Sequence, residues 1–456
     1  MKTGIIFAAI AGLLIQPSVV SSETVTSVAA PDTSAVLPEI PYESLNLPTS
    51  PQVRSFYAAW KHAPIWFSGN TPKPEVTELL SMLRRAPLDG IDLGPQYAVQ
   101  LESAVQQAAS GNPQAISSAE HSLSEALVLY AQAMDRPIAG MIYGYDHLKP
   151  KGRSANDILR VAAGAPSLQA YLQEFANPNS VYTAIREAAW NQMQSAGSST
   201  ADPRVVANLD RARAMPAKGR FVMVNSATQM LYMYDNGVPV GSMKVVVGDY
   251  NRYIPRWMPT PLIASMMFYV IHNPYWNAPD FLVRKNIAPR YLAGGDKYFK
   301  FRGYKVMSDW TKEASVVPAD QIDWKAVAAG KLSPRVRQDP GPSNFMGQLK
   351  FPFANPEGVY LHDTDPEDSK LFAFAERTRS NGCVRLENAP ALARWLLGHD
   401  AVATSAEPEL AEQVTGGVPV YLTYLTAVAE NGQLTFLKDI YGWDRNRNGT
   451  QEVAGN

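Results

Sequence analysis

A chain of 456 residues that is 46% apolar and 18% charged has room for two or three domains and the composition of a globular protein rather than a disordered one. Its net charge of −1 provides no overall attraction to nucleic acid or to an anionic membrane. One cysteine, Cys383, and 35 prolines leave no disulfide within the chain and point to long ordered loops or linkers.

The N-terminus reads as a targeting signal. Met1-Lys2 gives a small positive start, residues 5–15 form an apolar core, Gln16-Pro17 breaks it, and Val20-Ser21-Ser22 offers small residues before Glu23. The apolar run is of signal-peptide length and falls short of the ~20 residues that span a bilayer. The expectation is an exported protein with a cleavable signal at 1–22 and no transmembrane span after its removal. Export bears on Cys383: an unpaired thiol in an oxidising compartment is either buried as a small hydrophobe or put to use.

Residues 23–48 are rich in Pro, Ser, Thr and Val and read as an extended linker. From 49 to 217 the pattern is helical. Val76, Leu79, Leu80 and Leu83 recur at i, i+3, i+4, i+7, and Leu123, Ala126, Leu127 and Tyr130 repeat the spacing, with further amphipathic stretches at 168–175 and 181–193. His62, His121 and His147 stand at no metal-ligand spacing and read as structural or solvated. This region is expected to be a helical scaffold domain.

At Arg220 the period switches to two. Residues 221–224 and 230–234 read as strands, Asp235-Asn236-Gly237 as a tight turn into 241–247, and 264–272 as a further strand ending at Asn273-Pro274-Tyr275-Trp276. Strand pattern returns at 418–428 and, after Asn431-Gly432, at 434–437. These runs place Cys383 within one β-rich domain, 218–443. Between them, 277–343 shows no sheet pattern. It alternates short helical pieces with aromatic and basic residues such as Tyr291, Arg302 and Trp310, and reads as an insertion that either covers a substrate or covers a sheet edge. In the polar tail 444–456, Asp444 to Asn448 resembles the start of a calcium loop, but its twelfth position is Gly455 rather than Glu, which excludes that loop. Asn448-Gly449-Thr450 is formally a glycosylation acceptor.

The chemistry concentrates at 360–394. His362 closes the apolar run Val359-Tyr360-Leu361, and Cys383 follows Ser380-Asn381-Gly382. Asn388 is a good N-cap, Ala389-Pro390 suits a first helical turn and Gly398 a stop, so the cysteine sits in a loop just before a helix. Gly382 allows close backbone approach, and the Gly382 and Cys383 amides are candidates for an oxyanion hole. A thiol with an ordinary pKa near 8.5 needs a base to attack an amide. His362 is the first candidate, with His272 and His399 as rivals.

A strand ending in His, a spacer, then Ser-x-Gly-Cys-Val-Arg resembles the signature of the L,D-transpeptidases (the YkuD-type domain). The similarity extends to Arg337-Gln338-Asp339-Pro340-Gly341-Pro342-Ser343-Asn344, Asn273-Pro274-Tyr275-Trp276-Asn277, Tyr360-Leu361-His362-Asp363-Thr364 and Asp439-Ile440-Tyr441-Gly442, and resembles the larger, YcbB-like branch. Phe56-Tyr57 and Pro64-Ile65-Trp66 resemble that branch's scaffold.

The resemblance implies an α+β chain, with a helical scaffold domain followed by a mainly β (YkuD-like β-sandwich) catalytic domain carrying a capping subdomain at 277–343. It implies periplasmic acyl transfer in the bacterial cell envelope: Cys383 attacks a tetrapeptide stem of peptidoglycan, D-alanine leaves, and an amine of a second stem resolves the thioester into a 3→3 cross-link. Carbapenems are the implied inhibitors, and no metal or nucleotide cofactor is required. By resemblance His362 is the general acid/base, the Asp363 backbone carbonyl orients it, and Gly382 lends an oxyanion amide. Ser380, Asn381, Tyr360, Trp276 and Arg385 are implied to line the substrate. Arg385 either holds a substrate carboxylate or braces the loop against Glu387. Two departures stand out: Asn381 occupies the position where most members carry histidine, and no peptidoglycan-binding module is evident. A non-catalytic peptidoglycan-binding wall protein and an L,D-carboxypeptidase using the same acyl-enzyme are the alternatives. A cysteine peptidase of another fold fits less well.

Overall fold

The computed structural model describes residues 49–249, 258–311 and 313–444. The signal at 1–22, the linker at 23–48 and the tail beyond Asp444 lie outside them. Among the described residues no helix is long and apolar enough to cross a membrane.

Side-chain caps set the helix starts in the first part of the chain. Ser50, Asn112, Ser154, Ser167, Asn179 and Asp202 each accept a backbone N–H of the first turn, satisfying donors that a helix leaves unpaired. The helices Pro51–Ala59, Glu75–Arg85, Gly94–Ala108, Pro113–Met134, Ala155–Gly164 and Leu168–Ala176 pack around one apolar cluster that includes Trp66, Leu79, Leu83, Leu127 and Leu172.

Two carboxylates buried in this part of the chain are well supplied with partners. Glu120, 4% exposed, takes the Tyr57 hydroxyl (2.9 Å) and the amides of Ile65 and Trp66 (2.5 and 3.0 Å). Asp89 meets Arg186 in two parallel bonds of 2.9 and 2.8 Å, and the hydroxyls of Tyr130 and Tyr182 also point at it. Breaking such a pair leaves a charge without a partner in the core, which costs more than the pair contributes. Asp89→Ala is therefore expected to lower unfolding stability by about 3–5 kcal/mol, read from the urea midpoint. A loss below about 1 kcal/mol would show that Arg186 finds another partner.

The apolar core does not stop where the helical pattern ends near 217. Helices Ser180–Ala196 and Pro203–Ala212 share a cluster with Phe221, Tyr234, Tyr424 and Tyr441 of the β part. Asn208 Oδ1 accepts the amides of Thr426 (2.7 Å) and Ala427 (3.1 Å), and Arg211 reaches Tyr424 O and Asp444 Oδ1 at 3.0 Å each. Strand Ile142–Tyr143 even joins the main sheet, parallel to Ile263–His272.

Among the described residues that sheet has ten strands. From Leu349–Phe351 it runs through Leu361–His362, Val384–Leu386, Val238–Gly248, Met230–Asp235, Arg220–Asn225, Leu410–Thr423 and Ile263–His272 to Ile142–Tyr143, with Thr378–Ser380 beside Val238–Gly248. Leu349–Phe351 also pairs with Ile263–His272, so the sheet closes on itself around Val245, Val247, Phe351, Leu361, Val384 and Val420. Helix Ala389–Leu397 packs against this core, capped by Asn388 (Oδ1 accepting Ala391 N, 3.1 Å) and ended by Gly398 at φ +82°.

Two expectations need correction. The insertion does contain sheet: Val316–Val317, Tyr304–Met307, Arg335–Gln338 and Trp276–Asn277 form a four-stranded antiparallel sheet over a core that includes Val306, Trp324 and Val336. Strands of two to four residues are too short to display a period of two, which is why the pattern hid them. The strand expected at 418–428 begins at Leu410 and ends at Thr423, and residues 427–430 belong to a separate hairpin with 433–436. Its first half is polar because it is half exposed, and a register shift at Gln413/Val418 interrupts the alternation.

Candidate active site

Strand pairing brings His362 and Cys383 together. Leu361–His362 runs parallel to Val384–Leu386, with Leu361 opposite Val384 and His362 opposite Arg385, and Val384 N donates to Tyr360 O at 3.1 Å. Successive side chains in a strand point to opposite faces. Leu361 and Val384 fill the core, so Tyr360, His362, Cys383 and Arg385 share the other face. Lys350, opposite His362 on the next strand, joins them, with its ammonium 5.0 Å from the Tyr360 ring centre.

His362 is 5% exposed, and its Nδ1 lies 2.6 Å from the Asp363 backbone oxygen. A carbonyl can only accept, so Nδ1 carries the proton and Nε2 the free lone pair. The Asp363 side chain is engaged elsewhere: its Oδ2 accepts Gln348 N at 2.9 Å, and its own amide donates to Leu349 O at 2.8 Å. Gly347, at φ +61°, makes room, since a Cβ there would lie 2.5 Å from that carboxylate. Burial, then the nearby Arg385 and Lys350 charges, push the His362 pKa down to about 3, against the opposing pull of the Asp363 carbonyl. The imidazole is neutral at neutral pH.

Cys383 is half-buried, and burial raises its thiol pKa, only partly offset by Tyr360, Arg385 and Lys350. Burial also raises the Tyr360 phenol well above its usual range, the Cys383 sulfur adding to the effect. At rest both the thiol and the imidazole are therefore neutral at neutral pH. An ion pair formed in advance would need the opposite shifts.

The loop that presents the thiol is held from behind. Gly382 has φ +99°, a region that glycine occupies without strain. Thr260, 1% exposed, donates its hydroxyl to Gly382 O (2.9 Å) and accepts Gly248 N (2.9 Å), while the Tyr441 hydroxyl donates to Gly248 O (2.9 Å). A trans peptide points its N–H away from its C=O, so the Cys383 amide is turned away from Thr260. Ser380 Oγ donates to Cys383 O at 2.5 Å. Gly248 has no space for a side chain: a Cβ would lie 2.2 Å from Met258 O. Thr260→Val is expected to slow acylation of Cys383 about tenfold, below the ~10²–10³-fold of a lost oxyanion donor, while Thr260→Ser keeps the rate. Stopped-flow acylation by a carbapenem measures both.

The other expected site residues take differing positions. Trp276 packs edge-on against Phe345 (5.0 Å between ring centres) in the core of the insertion. Ser380 is spent on the loop backbone, and Asn381 is exposed. Arg385 does not brace Glu387. Its Nη1 meets Asp368 Oδ2 at 2.5 Å, and Glu387 accepts Lys244 N instead. His272 points to the core face, with Nε2 2.8 Å from Glu412 Oε2, and exposed His399 sits 3.3 Å from the other oxygen of that carboxylate. Both rival bases are thus tied to one glutamate across the sheet from the thiol. Thr260, Lys350 and Asp368 were not legible as site residues: Thr260 stands between two prolines far from the motif, and Asp368 is one of four acids within six residues.

Residues 219–421 match the family model of the L,D-transpeptidase catalytic domain (YkuD), and residues 51–188 match that of a scaffold domain. The chain is 27% identical over 410 residues to a Haemophilus influenzae protein named "Putative L,D-transpeptidase", covering 87% of this chain and 79% of that one. Among solved structures, the Ldtfm–avibactam carbamoyl enzyme shares 13% identity over 46% of this chain and 50% of its own, with a TM-score of 0.23. An L,D-transpeptidase from Mycobacterium smegmatis shares 12% identity over 44% and 58%, with a TM-score of 0.22. The match spans little more than half of those solved chains, and the assignment rests on the two domain models.

Proposed function

Because this chain carries an L,D-transpeptidase catalytic domain joined to a scaffold domain, we propose that it is a periplasmic enzyme that cross-links peptidoglycan stems 3→3 through a thioester on Cys383. The supporting observation is the parallel pairing that sets Cys383 beside a His362 whose Nδ1 is taken by the Asp363 carbonyl. With Nε2 free, His362 accepts the thiol proton as sulfur attacks the carbonyl before the terminal D-alanine of a tetrapeptide. The Gly382 and Cys383 amides hold the oxyanion. Collapse breaks the C–N bond, His362 returns the proton to the leaving amine, and D-alanine departs from a thioester. An amine of a second stem then attacks, His362 takes its proton, and the thiol is regenerated as the amide forms. The Cys383 adduct made by carbapenems follows from the same first step.

Incubating the protein with disaccharide-tetrapeptides and analysing products by mass spectrometry tests the reading. D-alanine release with a cross-linked dimer is the expected result, and release with only tripeptide would make water the acceptor. Intact substrate, with Cys383 unmodified by substrate or carbapenem, would overturn it in favour of a wall-binding protein.

A further inference from the structure

Two consecutive carboxylates beyond His362 face different parts of the molecule. Asp368 Oδ2 holds Arg385 Nη1 at 2.5 Å on the site face of the sheet. Glu367 Oε2 lies 3.5 Å from Nη1 of Arg302, which belongs to the insertion. Buried Asp365 fixes both: its Oδ1 accepts the amides of Glu367 (2.9 Å) and Asp368 (3.1 Å). Arg302 is itself anchored, its guanidinium 4.5 Å from the centre of the Phe345 ring and its carbonyl accepting from Gln338 Nε2 at 2.8 Å.

We propose that Glu367 and Asp368 are positioning residues that tie the seating of the inserted subdomain to the placement of the Arg385 guanidinium beside Cys383 and His362. The two ties differ in strength for a physical reason. Arg385–Asp368 is short, charge-assisted and partly buried, with side chains 17% and 27% exposed. Glu367 is 73% exposed, so its bond to Arg302 is screened and the weaker of the two. Since the carboxylates are neighbours on one turn that begins the short helix Asp368–Ala373, a shift of the insertion that pulls Glu367 moves Asp368 through the backbone, and with it Arg385. The subdomain then acts on the thiol without touching it. The charged and titratable groups that face Cys383 are Tyr360 and His362 from one strand, Lys350 from the next and Arg385 from its own, with Asp368 behind Arg385.

The proposal rests on Cys383 being the nucleophile, so wild-type protein must first form a carbapenem adduct there. Failure of that step would sink the functional reading rather than this one. Given the adduct, Asp368→Asn is expected to slow acylation about tenfold and to move the pH profile of Cys383 alkylation by iodoacetamide upward, because Arg385 no longer stays beside the sulfur. Asp368→Glu is expected to restore most of both, and an unchanged melting temperature shows that the fold survives. Arg302→Gln and Glu367→Gln are each expected to slow acylation two- to fivefold, the double variant no more than either, and the charge exchange Arg302→Glu/Glu367→Arg to recover the rate. A wild-type alkylation profile in Asp368→Asn, or additive effects of the Arg302 and Glu367 changes, would overturn the proposal.

Discussion

Cys383→Ala is expected to abolish turnover, with a fall on the order of 10⁴–10⁶-fold, the size of loss when an acyl-enzyme nucleophile is removed. It should also prevent any covalent adduct, because no other cysteine exists in the chain. The fold should tolerate the change. Cys383 is half-buried on the site face, while its neighbour Val384 carries the core contacts, so the stability change should stay within about 1 kcal/mol. Intact-mass analysis after carbapenem treatment, together with a thermal melt, reads both. An adduct on the alanine variant would remove Cys383 from the mechanism.

His362→Gln is expected to lower acylation by about 10²–10⁴-fold, the usual contribution of a positioned base. Glutamine can still donate to the Asp363 carbonyl, so the strand end keeps its contact while the base is lost. The pH profile separates this from a packing defect. With its pKa pushed down to about 3, wild-type His362 stays unprotonated across the neutral and mildly acidic range, and the acylation rate should show no fall near pH 6.5. In the variant only thiolate reacts, and burial raises the thiol pKa, so the residual rate should climb about tenfold per pH unit through neutrality. A wild-type limb near 6.5 would mean that His362 titrates normally and is not buried as described.

The same shift is a statement about stability. Below about pH 6.5 an unfolded His362 takes up a proton that the folded one refuses until about pH 3. Proton uptake favours the unfolded chain in that window, so this residue withdraws about 1.4 kcal/mol of stability per unit as pH falls from 6.5 to 3. Its contribution is fully present above 6.5. His362→Gln should remove that component of the slope in urea titrations at stepped pH.

How much of this was legible in the sequence depends on range. Helix limits were readable where local chemistry sets them: Asn388 and Gly398 bracket the helix that follows the motif, as the cap rules require. The hairpin at Asn236-Gly237 was readable because only residues tolerant of positive φ, here +48° and +80°, make that turn. The insertion's sheet was not, because its strands are short and their partners lie far along the chain.

The candidate site divides in the same way. A lone cysteine after glycine and a histidine ending an apolar run marked Cys383 and His362 as candidates, since those properties belong to residue types and neighbours. The choice among three histidines could not be made from pattern alone. Both His272 and His362 end strands, and what separates them is which face of the sheet each points to, a matter of register with strands more than twenty residues away. Register likewise gave Arg385 to Asp368 rather than Glu387, put Lys350 beside His362, and buried the imidazole deeply enough to keep it neutral. Residue types and near neighbours set the chemical groups and the local turns that carry them. Which groups meet followed from the fold, because contact and burial depend on the pairing of distant strands, and burial sets the proton affinities on which the chemistry turns.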